Sequence, residues 1–178
     1  MTSDPHICAA PAYSLTLTAT QILAFATSLM VGCLLCLASA ISVTAAEPLL
    51  RTDDGLALHG YDAVSYQTAG GPILGLETLT IVQDGGTYRF ATAENKAAFM
   101  ADPSRYIPAY GGWCAYAMAD GDFVDVDPKT FKIIDGKLHL FYNGWLGNTL
   151  KKWNKDEAGL HAKAEASWKR IVAERGRK

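Results

Sequence analysis

Residues 132–142 read KIIDGKLHLFY. Two apolar runs flank Asp135-Gly136, a pair suited to the two positive φ angles of a type I′ hairpin turn. That turn sets the register: Ile134 opposite Lys137, Ile133 opposite Leu138, Lys132 opposite His139, and Phe131 opposite Leu140. Side chains alternate across a strand, so Phe131, Ile133, Leu138, Leu140 and Tyr142 share one face, the expected core face. Lys132, Lys137 and His139 share the other, which the alternation predicts to be polar and exposed.

Working outward, a second hairpin is expected upstream. Leu79, Ile81 and Val82 mark a β-branched strand, QDGG (83–86) turns it, and TYRFA (87–91) returns. Thr92 is a helix cap for 93–100, closed by Asp102-Pro103. Asp62 caps a short helix over 63–66, and the alanines of 115–119 predict a helix stopped by Gly121. Downstream, a short helix over 149–153 follows Asn148. A longer one over 158–174 places Leu160, Ala164, Trp168, Ile171 and Val172 on one stripe. The class is α+β: two small antiparallel β-hairpins with helices packed on one side, in a single compact domain.

The first 46 residues contrast with the rest. Asp4 is their one charged side chain, and ILAFATSLMVGCLLCLASAISVTAA (22–46) carries none. This reads as the apolar region of an export leader, cut after Ala46, giving a periplasmic or secreted protein. The alternative is an uncleaved inner-membrane anchor over 22–46, since about 18 apolar residues can span a bilayer. No Lys or Arg precedes Arg51, which departs from the usual leader start. The domain is therefore 47–178. It holds all 16 basic side chains and every acid except Asp4, so it carries about one net negative charge. No strong field favours nucleic acid, and membrane contact is expected only through the N-terminal segment. Cys8, Cys33 and Cys36 fall in the leader, leaving Cys114 alone with no internal disulfide partner.

LHGYDAVSYQTAGGP (58–72), TYRFATAENKAAFMADPSRYIPAYGGWCAYAMADG (87–121), DGKLHLFYN (135–143) and LKKW (150–153), in this order, resemble the exported YHS-domain proteins of bacteria. The resemblance spans about 56–171. It implies a small, exported α+β domain, and related modules accompany heavy-metal transport proteins. Metal-associated modules place one cysteine at the end of the first hairpin and another about four residues on. Ala91 and Asn95 stand there in this chain, so that thiolate site is absent. GWLGNTL (144–150) is about three residues longer than the family pattern.

Candidate chemistry centres on Cys114 in YGGWCAY (110–116). If 115–119 is helical, Cys114 and Met118 share a face, and thiolate plus thioether is a soft donor pair suited to Cu(I). His59 and Tyr110 are the further donors of such a copper-handling site. The plainer reading is that Cys114 is a small buried hydrophobe, with Gly111-Gly112 allowing close packing. A thiol-dependent enzyme is the third reading, although no cation near Cys114 in sequence would lower its pKa. Tyr61, Tyr110 and Trp113 are candidate linings of a small-ligand pocket, or else core aromatics. His161 is expected at the surface. Asp120, Asp122, Asp125 and Asp127 do not match a calcium loop and read as solvated. The function expected is a non-catalytic binding or accessory domain taking a small ligand or a metal ion.

Overall fold

A computed structural model describes residues 49–177. The expected leader over 1–46, its cut after Ala46, the alternative anchor over 22–46 and the Cys33–Cys36 spacing lie outside the described residues. Among the described residues no helix is long and apolar enough to cross a membrane.

The fold is α+β, built from small antiparallel hairpins with short helices against them. Strands β1 (Thr52–Asp53), β2 (Leu56–Ala57), β3 (Leu76–Gln83) and β4 (Gly86–Phe90) form one sheet in the order β1-β2-β4-β3. Strands β5 (Asp127–Ile134) and β6 (Lys137–Phe141) form a second. A very short pair, β7 (Asn143–Gly144) and β8 (Gly147–Asn148), follows. The hairpins β1–β2, β3–β4 and β5–β6 share one local device. Asp54-Gly55, Asp84-Gly85 and Asp135-Gly136 all take positive φ at both positions, 47° and 84°, 51° and 82°, 50° and 75°. These are the angles a two-residue turn needs to match the right-handed twist of its strands. The β5–β6 register is the one the Asp-Gly turn dictates, with Lys132 opposite His139 and Phe131 opposite Leu140.

Helices α1 (Ala93–Ala101) and α2 (Pro103–Tyr106) follow β4. The Thr92 hydroxyl accepts from Asn95 N at 3.1 Å, and Asp102 takes the same role for Arg105 N at 3.3 Å. After a tight turn over Ala109–Gly112 comes α3 (Ala115–Met118). Helices α4 (Thr149–Trp153), capped by Asn148, and α5 (Glu157–Arg175), capped by Asp156, close the chain.

Two cores result, one on each side of β6. The first joins Tyr88 and Phe90 of β4, Phe99 of α1, and Leu138 and Leu140 of β6. The second joins Phe141 of β6 to Met118, Trp153 and Ala164 of α3, α4 and α5. The face of β6 expected to be polar is thus covered: His139 is only 2% exposed. The reason is that α4 and α5 return over it, which alternation along one strand does not reveal. Lys132 stands opposite His139 in the register, and its ammonium reaches Glu157 and Asn154. Val172, placed on the buried stripe of α5, is 41% exposed. It sits about 100° around the helix from Ile171, past the edge of the packed face.

Candidate functional site

Beside the second core lies a cleft of about 670 Å³. Its walls come from the turn over Ala109–Gly112, the β5–β6 hairpin and one face of α5. Tyr110, Lys137, His139, His161, Glu165 and Trp168 carry its chemistry, and Ile107, Pro108 and Ile134 supply apolar wall. The turn that presents Tyr110 is forced. Tyr110 adopts φ 53°, a left-handed conformation that only close packing sustains in a bulky residue. Gly111 follows at φ 60°, and a Cβ there would lie 2.3 Å from the Leu49 carbonyl oxygen. Only glycine lets the incoming chain cross at that distance.

Tyr110 is 2% exposed, and its hydroxyl donates to Glu165 Oε1 at 3.0 Å. Burial, and then that carboxylate, push the phenol well above its ordinary value, so it stays protonated. His161 Nε2 lies 3.8 Å from the same Glu165 oxygen. The Tyr110 and His161 rings approach His139 edge-on, with centroids 5.4 and 5.3 Å away.

His139 is the centre of this arrangement. Its Nδ1 lies 3.0 Å from the Lys137 carbonyl oxygen, which has no proton to give, so Nδ1–H donates. Burial lowers the imidazole pKa below the ordinary 6.5, and the Lys137 carbonyl only partly opposes this. The ring is therefore neutral near pH 7, with an acceptor lone pair on Nε2. That Nε2 is buried and has no hydrogen-bond partner among the described residues. The same holds for the indole Nε1 of Trp153, whose ring centroid is 6.3 Å from that of His139. One is an acceptor and the other a donor. Buried polar groups in native folds are rarely left so, and such pairs point to a bound water or ligand group.

Of the residues expected to line a pocket, Tyr110 does. Tyr61 and Trp113 do not. Tyr61 pairs by a backbone bridge with Leu74 and packs on the first core. Trp113 turns away, donating its Nε1–H to the Leu49 carbonyl at 3.2 Å and meeting Phe123 edge-on. His161 was expected at the surface, but it is half-buried against His139.

The soft-donor set is not assembled. Cys114 is fully buried in the first core and Met118 in the second. The assumption of a shared helical face fails because Cys114 precedes α3 with ψ 116°, outside helical geometry. The thiol is also occupied. Tyr142 N–H donates to Sγ at 3.4 Å, and Thr149 Oγ1 lies 3.4 Å from Sγ. The Thr149 hydroxyl in turn donates to the Tyr142 carbonyl at 3.0 Å. Since that hydroxyl proton is committed, the thiol S–H donates to Thr149, closing a ring that ties the end of β6 to α4. His59 faces carboxylates: Nδ1 is 2.9 Å from Asp53 and Nε2 is 3.5 Å from Asp125. The second of these is too long to count as a hydrogen bond. Among the described residues no group of three or more His, Cys, Asp or Glu side chains is placed to hold a metal ion.

Sequence reasoning missed two polar clusters. Asp125 was assigned to a solvated loop, yet it pairs with Arg51 Nε at 2.7 Å, while Arg51 also grips Asp53 with both terminal nitrogens. The Arg51 guanidinium holds the Asp53 carboxyl below its usual range. Asp62 does more than cap a turn. It is fully buried, and its oxygens accept from Val64 N (2.9 Å), Ser65 N (3.4 Å), Ala91 N (2.8 Å) and Asn95 Nδ2 (2.6 Å). Ala91 and Asn95 thus both serve a carboxyl group. Comparison of the chain with protein-family models, with curated proteins and with solved structures finds no match.

Proposed function

We propose that this protein is a non-catalytic binding domain of the YHS type and that its ligand occupies the cleft between α5, the β5–β6 hairpin and Tyr110. One observation carries the reading: His139 is buried and neutral, and its Nε2 acceptor has no partner beside an open cleft. The ligand that suits it is a small neutral molecule. It has an O–H or N–H directed at His139 Nε2 and a flat apolar part against Trp168, Ile134 and Pro108. Tyr110 and Glu165 are already bonded to each other and act as a fixed polar wall. Binding rather than turnover is favoured because Cys114, the one thiol among the described residues, is locked in the other core.

The test is a fragment screen by NMR, using small hydroxylated and N–H heteroaromatic probes, followed on the His139 imidazole nitrogens and the Trp168 indole. Bound probes should move the His139 Nε2 resonance most. Affinity should fall by about tenfold or more in His139→Phe, the loss of one buried hydrogen bond. Probes that bind equally well to His139→Phe, or that shift only residues outside the cleft, would overturn the assignment.

A further inference from the structure

The β7–β8 hairpin ends in Trp145 and Leu146, which are 89% and 64% exposed. No other large apolar side chain among the described residues is as exposed as Trp145. The tip is not a slack loop. Asn143 pairs with Asn148 and Gly144 with Gly147, and the Tyr142 ring braces the ribbon. A Cβ on Gly144 would lie 2.5 Å from Tyr142 Oη, so the strand lies directly on that ring. The Asn143 amide donates to Asp127 at 3.1 Å, and Thr149 N donates to the Tyr142 carbonyl at 3.0 Å. Two apolar side chains are therefore held out in water on a rigid base.

Three lysines follow this tip in the chain. Lys151 and Lys152 of α4 and Lys155 just after it are exposed, and none has an ion pair among the described residues. Of the acids that flank them, Glu157 is paired with Lys132, while Asp127 and Asp156 accept only from neutral donors, so the lysines outnumber the uncompensated acids by one. Lys152 lies over the Tyr116 ring, 5.6 Å from its centroid, which points the stem along the surface. Tryptophan prefers the boundary between headgroups and acyl chains, and lysines beside it attract anionic headgroups. A convex two-residue wedge is far smaller than the roughly 800 Å² that each partner of a stable protein complex covers, but it suits shallow insertion. We propose that Trp145 and Leu146, with Lys151, Lys152 and Lys155, dock this domain onto an anionic lipid bilayer surface. This adds a second membrane contact to a chain whose sequence predicts one through its N-terminal segment alone.

The experiment adds the full chain to vesicles of phosphatidylglycerol and phosphatidylcholine whose acyl chains carry bromine, which quenches tryptophan on contact. Vesicles of phosphatidylcholine alone serve as the second arm. Wild type should be quenched on the anionic vesicles, and Trp145→Phe should lose that quenched component. Lys151→Glu with Lys152→Glu should weaken binding to these vesicles by about thirtyfold or more at low salt, since each reversal removes one near-surface positive charge and adds a negative one. Equal quenching of wild type and Trp145→Phe would overturn the proposal: the tip then stays in water even when the N-terminal segment holds the chain on the vesicle. That is also the result if the wedge serves a protein partner. Equal quenching on uncharged vesicles would overturn the anionic assignment.

Discussion

The two faces of β6 are built from neighbouring residues, yet they meet different demands. Leu138 and Leu140 enter the first core, where the buried polar groups are largely satisfied, the Tyr88 hydroxyl being the exception. Asp62 holds four donors, and the Cys114 thiol sits in a closed ring with Tyr142 and Thr149. His139 and Phe141 enter the second region, where His139 Nε2 and Trp153 Nε1 are buried without partners and His139 lines an open cleft. A satisfied buried group holds a fold together, while an unsatisfied one lowers stability until something binds to it. What sets the second face apart is that its partnerless imidazole belongs to a residue lining an open cleft, whereas Tyr88 does not line that cleft.

The largest test of that contrast is Asp62→Ala. It strands the Val64 and Ala91 amides and the Asn95 side chain inside the first core. The loss should be about 3 kcal/mol or more, read from chemical denaturation, because each buried unpaired group costs about 1–3 kcal/mol. A loss below about 1 kcal/mol would mean that the first core does not depend on its polar cage.

Cys114→Ala should cost less, about 1–2 kcal/mol, from a small cavity and two lost sulfur contacts. Probe binding in the cleft should not change in this variant, and in the wild type Cys114, followed by peptide mapping, should be alkylated only as the protein unfolds. Fast alkylation of Cys114 in the folded protein would contradict the closed ring.

The smallest effect is a pH dependence. Burial lowers the folded-state pKa of His139 below 6.5, so between that lower value and 6.5 the unfolded chain binds more protons than the folded one. Stability is then full above about pH 6.5 and declines as pH falls through the window. His139→Phe should flatten this part of the melting-temperature profile. At pH 7 it should also be close to neutral, within about 1 kcal/mol, because the lost Nδ1–H bond to the Lys137 carbonyl is offset by deletion of the unpaired Nε2. An unchanged slope in the variant would place the titration elsewhere and weaken the contrast between the faces.

Local chemistry made much of the fold legible. Asp135-Gly136 specified a turn, and the turn specified which residues of β5 and β6 face each other. Thr92, Asn148 and the break at Asp102-Pro103 marked helix boundaries because capping and proline geometry act within three or four residues. The site was legible only at Tyr110. His139 was misread because a strand's alternation identifies two faces but does not say how many are covered. His161 and Glu165 became functional candidates only through their approach to His139 and Tyr110, elements 22 and 55 positions away in the chain.

The sequence by itself determined the β5–β6 register, most helix boundaries and the α+β class, because these depend on backbone angles and hydrogen bonds among near neighbours. Tertiary structure decided where the polar atoms ended up. The return of α4 and α5 over β6 buried an imidazole that alternation left in water, and the extended backbone before α3 sent the lone thiol into the opposite core from Met118. Burial and partnering belong to segments distant in sequence, so no local pattern of residues encodes them.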